Sequence, residues 1–91
     1  MGGEPLCPEN LFLTLLVIKT VKEKYPDIKI YVWTGYTYEE LQNRSEHRLD
    51  EILNRIDYLI DGRYEQDKRD ITLPMRGSSN QRIINIKEKR E

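Results

Sequence analysis

The residues best suited to chemistry lie in three short segments that contain glycine. Residues 2–5 are Gly-Gly-Glu-Pro, residues 34–36 are Thr-Gly-Tyr, and residues 61–63 are Asp-Gly-Arg. Glycine lets backbone groups approach a ligand closely, and Glu4 could bind an ammonium group. Asp61 and Arg63 are two residues apart, so in an extended chain their side chains face the same way. Together they could grip an amino-acid-like zwitterion or a ribose, although spacing alone leaves a plain surface salt bridge open.

The elements that must position these segments begin with a helix and a strand. Apolar residues recur at near-helical spacing over residues 11–25, between two prolines that open and close the helix. Residues 28–34 alternate as a strand, and Tyr31 and Trp33 share one of its faces. We expect these two aromatic rings to pack against the protein rather than to stack on a ligand.

The rest of the chain predicts two more helices and two more strands. Thr37 and Glu40 form a capping box at a helix start, and Glu51 and Arg55 are placed to pair at i,i+4. The predicted elements are a helix over 37–43, a helix over 46–55, a strand at 58–60, an exposed loop over 64–74, a polar turn at 76–81, a strand at 82–86 and a frayed tail at 87–91. The fold class is therefore α/β. A helical crossover joins the strand over 28–34 to the strand at 58–60 and makes these two strands parallel. Loops after parallel strands emerge at one edge, so the three glycine segments should meet there.

The length, net charge and cysteine content of the chain limit the kinds of partner and site that can be expected. The 91 residues predict a single small domain, residues 1–91, and 15 basic against 16 acidic residues leave a net charge of -1. Nucleic acid and an anionic membrane are therefore not expected as partners. The apolar stretch over 11–18 is too short to cross a bilayer, and nothing before it resembles a secretory signal. Cys7, the single cysteine, is expected to be an ordinary free thiol in a reducing cytoplasm, and no metal ligands are assigned.

Four segments, in the same order, resemble those of the anaerobic ribonucleotide reductase activating proteins, a radical S-adenosylmethionine family. They are residues 2–6 (GGEPL), 32–36 (VWTGY), 61–64 (DGRY) and 76–82 (RGSSNQR). The glycine motif alone would be a weak signal, but the set spans nearly the whole chain. The resemblance implies a partial (β/α) barrel of the radical SAM type, the C-terminal portion of an activating-enzyme domain, and the anaerobic reductase as partner.

The resemblance also implies a mechanism and site residues. In that family a [4Fe–4S] cluster reduces S-adenosylmethionine to a 5′-deoxyadenosyl radical, which takes a hydrogen atom from a glycine of the reductase. The glycine motif receives the methionine amino group, and an acid and a base follow a later strand near the cofactor. Two further positions line the site or support the loop that meets the reductase. The implied cofactor-binding residues are Gly2, Gly3, Glu4, Thr34, Asp61, Arg63, Ser79 and Asn80, and no residue is assigned a catalytic role.

The sequence departs from the family at the cluster. The family holds its cluster with Cys-x-x-x-Cys-x-x-Cys after the first strand, whereas this sequence contains Cys7 alone. The cluster is therefore not expected in this chain by itself, and the chain is predicted to be inactive alone. A glycine-rich turn without a preceding strand suggests a start within a longer fold, and an uncovered sheet edge would favour a homo-oligomer. Two alternatives stay open: a binding module without chemistry that docks on the reductase or a partner chain, and a truncation product without function.

Overall fold

The computed structural model describes residues 3–90, and these form an α/β fold, as the sequence predicts. Gly2, one of the expected ligands, lies outside the described residues, as do positions 1 and 91. The helices are α1 (Leu11–Lys24), α2 (Tyr38–Gln42), α3 (His47–Leu53) and α4 (Ile86–Lys89), and the strands are β1 (Tyr31–Trp33), β2 (Tyr58–Asp61) and β3 (Arg82–Asn85). Single 3-10 turns occur at Pro8–Asn10 and Gln66–Lys68. None of the described helices has the length and apolar character needed to cross a membrane.

The three strands form one sheet in the order β1-β2-β3. β1 and β2 are parallel, with Val32 opposite Leu59, which confirms the predicted crossover. β3 runs antiparallel to β2, and Asp61 lies opposite Arg82. β1 is shorter than the predicted strand over 28–34, because the Ile30 N–H donates to the Asp57 carboxylate at 2.8 Å instead of joining a ladder. A barrel remains a prediction, since the described residues form a three-stranded sheet.

The core lies on one face of this sheet. α1 packs on α3, and the buried side chains of both helices meet Val32 and Leu59 of the strands. The alternation in β1 is as predicted, with Val32 buried and its neighbours Tyr31 and Trp33 exposed. On the opposite face the Tyr31 ring stacks on the Tyr58 ring at 4.9 Å between centroids. Tyr31 and Trp33 are both exposed on this face, so their expected packing role stays a prediction.

Local signals near α2 and α3 are confirmed. The Thr37 hydroxyl accepts from the Glu40 N–H at 3.1 Å, and the Glu40 carboxylate accepts from the Thr37 N–H at 2.8 Å, which completes the capping box. Glu51 and Arg55 pair at 3.7 Å. These contacts are settled within one turn of helix, so the sequence pattern suffices to predict them.

The prediction of a frayed tail over 87–91 is wrong for its described part. Residues 86–89 form α4, whose first residue, Ile86, is buried in the core. The Asn85 side chain caps this helix by accepting from the Glu88 N–H at 3.2 Å. Arg90 then donates to Asn54 at 3.0 Å and to Gln42 at 3.2 Å. Burial of Ile86 and these long-range contacts hold the tail, and charge density along the sequence does not reveal them.

Candidate functional site

Glu4 is the centre of a hydrogen-bond cluster at the carboxyl end of β1. Its Oε2 accepts from the Thr34 hydroxyl at 2.8 Å and from the Leu6 N–H at 2.9 Å, and its Oε1 accepts from the Gly35 N–H at 2.6 Å. Thr34 is buried, and its hydroxyl oxygen also accepts from the Tyr36 N–H at 3.2 Å. Two of the three predicted glycine segments therefore meet, as expected for loops at one edge of a parallel sheet.

The segment that carries Glu4 is fixed on both sides. The Asn10 side-chain amide donates to the Glu4 carbonyl at 2.9 Å, and Arg44 donates to the Leu6 carbonyl at 2.5 Å. The Arg44 guanidinium also lies over the Tyr36 ring, 5.1 Å from its centroid. Gly3 is exposed at the start of this segment, next to the Asn10 side chain. Arg44, which the sequence gave no reason to single out, links the Glu4 segment to the turn after β1.

A cleft of about 260 Å³ opens beside this cluster, lined by Glu4, Gly35, Tyr36 and Arg63. A Cβ added to Gly35 would lie 3.4 Å from Glu4 Oε1 and 3.7 Å from Arg63 Cγ, so the glycine separates an acidic from a basic side chain. A second hollow of about 370 Å³ adjoins it, lined in part by Gly62, Tyr64 and Gln81. The third glycine segment thus also reaches this edge of the sheet. An acid and a base across a small cleft can hold the two charged groups of a zwitterion.

Asp61 does not share a direction with Arg63, and the expected pairing of these two side chains must be corrected. Gly62 adopts φ +96°, so the chain turns between them and the alternation of an extended strand is lost. Arg63 is exposed at the cleft, whereas Asp61 is 1% exposed. The Asp61 carboxylate accepts from the Tyr38 N–H at 2.7 Å and from Arg82 Nε at 2.9 Å.

Arg82 binds Asp61, although it was not among the expected site residues and lies only in the family-like segment over 76–82. Its guanidinium binds both oxygens of Asp61, and its Nη2 donates to Glu39 Oε1 at 2.7 Å. This hydrogen bond lowers the pKa of Glu39 below its ordinary value, and the bonds to Asp61 and Glu39 raise the pKa of Arg82. The partner of Asp61 follows from the antiparallel register of β2 and β3. Only a prediction of that register could have found it.

Ser79 and Asn80 belong to the loop that supports the turn after β2. The Ser79 side chain is exposed, and its N–H donates to the Lys68 carbonyl at 2.8 Å. Asn80 donates to the Arg63 carbonyl at 2.8 Å. Two neighbours not singled out before do more: Gln81 donates to the Gly62 carbonyl at 3.0 Å, and the fully buried Ser78 donates to Asn80 at 2.7 Å. This loop therefore fixes the backbone from which Arg63 extends.

Comparison with known proteins identifies the class. Residues 1–84 match the family model described as a 4Fe-4S single cluster domain, and the chain belongs to that family. No solved structure matches the chain.

The similar proteins of known name are all activating proteins. The chain is 51% identical, over 82 residues, to the anaerobic ribonucleoside-triphosphate reductase-activating protein of Pasteurella multocida, covering 90% of this chain and 51% of that protein. For the protein of the same name in Vibrio cholerae the identity is 42%, over 90% of this chain and 50% of that protein. For that of Enterobacteria phage T4 it is 37%, over 90% and 48%. The resemblance inferred from four segments is thereby confirmed, and the chain spans about half the length of these relatives.

The residues present do not fit the iron–sulfur cluster that the family description implies. A thiolate-held cluster needs at least three cysteines, and the sequence has Cys7 alone, half-buried in the turn before α1. Within residues 3–90 no three His, Cys, Asp or Glu side chains converge in a way that could hold a metal ion. Residues 3–90 therefore do not form a cluster site by themselves.

Proposed function

We propose that this chain acts in the activation of an anaerobic ribonucleotide reductase and that its cleft binds the methionine end of S-adenosylmethionine. The names of the relatives support the first part. One observation carries the second: the Glu4 carboxylate, fixed by Thr34 and Gly35, lies beside Arg63 in a cleft sized for a small zwitterion. In the same proposal, β1 and β2 are two parallel strands of a radical SAM barrel.

The acceptor capacity of Glu4 suits an ammonium group. A carboxylate offers about four lone-pair sites, and the Leu6, Thr34 and Gly35 donors use three of those on Glu4. Among residues 3–90 one site of Glu4 has no donor, and in this proposal the amino group of the methionine moiety would donate to it. The ligand carboxylate would then meet the Arg63 guanidinium on the other side of Gly35. Gly35 keeps the path between the two charges open because it has no side chain.

In this proposal the other implied site residues support Glu4, Arg63 and the cleft and do not bind the charged groups of the ligand themselves. Gly2 and Gly3 would let the ligand approach the backbone beside Glu4. Thr34 orients the Glu4 carboxylate, and Asn80 holds the carbonyl of Arg63. Asp61 and Ser79 support the walls of the cleft. The glycyl-radical chemistry that the resemblance implies would need cluster ligands from elsewhere, because this sequence has one cysteine and a cluster needs at least three.

The affinity expected from this site is low. Each polar contact open to water contributes about 0.5–1.5 kcal/mol. Immobilising a ligand costs about 4 kcal/mol or more, so two or three contacts leave a dissociation constant in the millimolar range or weaker. Chemical-shift titration of the 91-residue chain with S-adenosylmethionine and with methionine is suited to this range.

Substitutions at the two charged positions test the assignment. We expect saturable shifts at Gly35 and Tyr36 on titration, and loss of saturation in Glu4→Gln and Arg63→Gln. Glu23→Gln is the matched control, because Glu23 is an exposed carboxylate near the far end of α1. Shifts that persist unchanged in Glu4→Gln, or that map away from the cleft, would contradict the site.

A second candidate function is a docking module without chemistry, and the surface of α1 favours it. Phe12, Leu13, Leu16 and Val17 are 49–61% exposed, although they are large apolar residues. Such a surface is typical of protein contact sites. Leu13→Ser with Val17→Ser should abolish capture by the anaerobic reductase if docking uses this surface, whereas Glu4→Gln should leave capture unchanged. The opposite pattern would favour the cleft as the functional site.

A further inference from the structure

Arg82 joins three parts of the molecule that are distant in sequence. From β3 its guanidinium binds both oxygens of Asp61 at the end of β2, and its Nη2 reaches Glu39 on α2. The Arg82 side chain is 47% exposed and that of Asp61 is 1% exposed, so the arginine covers a buried carboxylate from the solvent side. A buried carboxylate that lacked this partner would carry an uncompensated charge.

The other contact of Asp61 controls the turn between β1 and α2. Asp61 Oδ2 accepts from the Tyr38 N–H at 2.7 Å, at the first residue of α2. The opposite end of this turn is held by the Thr34 N–H, which donates to the Ile60 carbonyl at 3.0 Å. Gly62 N–H donates to the Tyr36 carbonyl at 2.9 Å. The turn over residues 34–38 is therefore fastened at three points to β2 and to the residue after it, and one of these points is the Asp61 side chain.

The geometry points to Arg82 as a positioning residue for the cleft: by holding the Asp61 carboxylate against Tyr38, it keeps the Gly35 N–H aimed at Glu4 and Glu4 beside Arg63. This inference rests on the proposed zwitterion site. Arg82 does not line the cleft and acts only through Asp61 and the turn. Without its partner, the Asp61 carboxylate would turn toward water, and its bond to the Tyr38 N–H would weaken. Gly35 lies three residues away and would shift with the turn.

The Gly35 amide gives a direct signature in the free protein. The Gly35 N–H donates to Oε1 of the charged Glu4 carboxylate over a short distance of 2.6 Å. The resonance of this amide proton should therefore be shifted downfield, and the proton should exchange slowly with solvent. In Arg82→Gln we expect an upfield shift of the Gly35 amide proton. We also expect amide exchange about tenfold faster at Gly35 and Tyr38, which is the effect of losing roughly one hydrogen bond. Arg69→Gln is the matched control, since Arg69 is an exposed arginine that is not among the described hydrogen-bond partners of Asp61.

A second variant keeps the test valid if Arg82→Gln does not fold. Arg82→Gln combined with Asp61→Asn removes both charges, while the amide oxygen of the new side chain at 61 can still accept from the Tyr38 N–H. We expect this double variant to recover the Gly35 shift and most of the exchange protection, and Arg82→Lys to recover them in part. An unchanged Gly35 signal in a folded Arg82→Gln, or a folded double variant without that signal, would overturn the inference.

The readout separates this inference from the proposed function. The Gly35 shift and exchange are measured without ligand, so they report on Arg82 even if the wild-type chain binds no methionine. Titration of the wild-type chain with methionine tests the proposed site by itself. If both hold, Arg82→Gln should weaken methionine binding by about tenfold, in line with one lost hydrogen bond, and Arg69→Gln should leave it unchanged.

Discussion

Replacing Glu4 by alanine should unfasten the N-terminal segment from the sheet. The Glu4 carboxylate accepts hydrogen bonds from the Thr34 hydroxyl and from the Gly35 N–H. These two donors lie 30 and 31 positions after Glu4 in the sequence. Its third bond, to the Leu6 N–H, is local. Alanine removes both acceptor oxygens and with them all three hydrogen bonds, and it leaves the buried Thr34 hydroxyl without the carboxylate. The change should therefore destabilise the fold as well as abolish ligand binding.

The size of the effect follows from the two long-range bonds. A hydrogen bond to a charged group contributes about 1.5–3 kcal/mol. Because Glu4 is only partly buried, water can replace part of each contact, so the lower value applies and the two bonds together give about 3 kcal/mol. Glu4→Gln keeps one carbonyl acceptor and should lose about half of this, roughly 1.5 kcal/mol. For a small domain about 3 kcal/mol is a large part of the total stability.

The loss of unfolding free energy is measured by urea unfolding, followed by the fluorescence of Trp33, the single tryptophan. A loss of about 3 kcal/mol in a domain of this length lowers the melting temperature by roughly 12 °C or more. Glu23→Ala is the control, and a surface substitution of this kind should change stability by less than about 0.5 kcal/mol. A Glu4→Ala protein within that same margin of the wild type would refute the argument, because Glu4 would then not hold the segment to Thr34 and Gly35.

The remaining predictions concern other parts of the chain. Gly62→Ala should cost about 1–2 kcal/mol in urea unfolding, because alanine is strained at φ +96°; no loss would mean that the turn after β2 relaxes freely. Arg82 lowers the pKa of Glu39, so their contact stabilises the fold above the ordinary value of 4.5 and is lost as the pH falls through the lowered pKa. Glu39→Gln should therefore flatten the acid side of the stability profile, and an unchanged profile would contradict this. With Cys7 as the single cysteine, anaerobic reconstitution with iron and sulfide should give no stable [4Fe–4S] species per monomer, and a cluster absorption band near stoichiometric loading would contradict it. β1 is an edge of the described sheet, so we expect a dimer or larger oligomer; a clean monomer in sedimentation at high micromolar concentration would count against it.

Local patterns in the sequence were sufficient for the elements and for part of the site. The capping box at Thr37 and Glu40 and the pair of Glu51 and Arg55 depend on residues within one helical turn. The parallel pairing of β1 and β2 follows from the helical crossover between them. The loops after β1 and β2 must then emerge at one edge of the sheet, and the sequence predicts Glu4 beside Thr34 only if residues 2–5 follow a further parallel strand.

The partners of the charged residues could not be predicted in the same way. Asp61 and Arg63 looked like a pair because they are two residues apart, but the positive φ of Gly62 turns the chain between them. Arg82 is not among the site residues that the resemblance implies, and only its place opposite Asp61 in β3 makes it the partner of that buried carboxylate. α4 likewise depends on the burial of Ile86, which a run of charged neighbours conceals.

The sequence by itself determined the family, the order of the elements as far as β3 and the edge of the sheet at which the glycine segments meet. These depend on side-chain type and on spacings of a few residues, which covalent geometry converts into structure. The tertiary structure alone decided that Glu4 faces Arg63 across Gly35 and that Asp61 belongs to Arg82. The partner of a polar side chain depends on strand register and on chain turns, and residues far apart in sequence settle both only when the core packs.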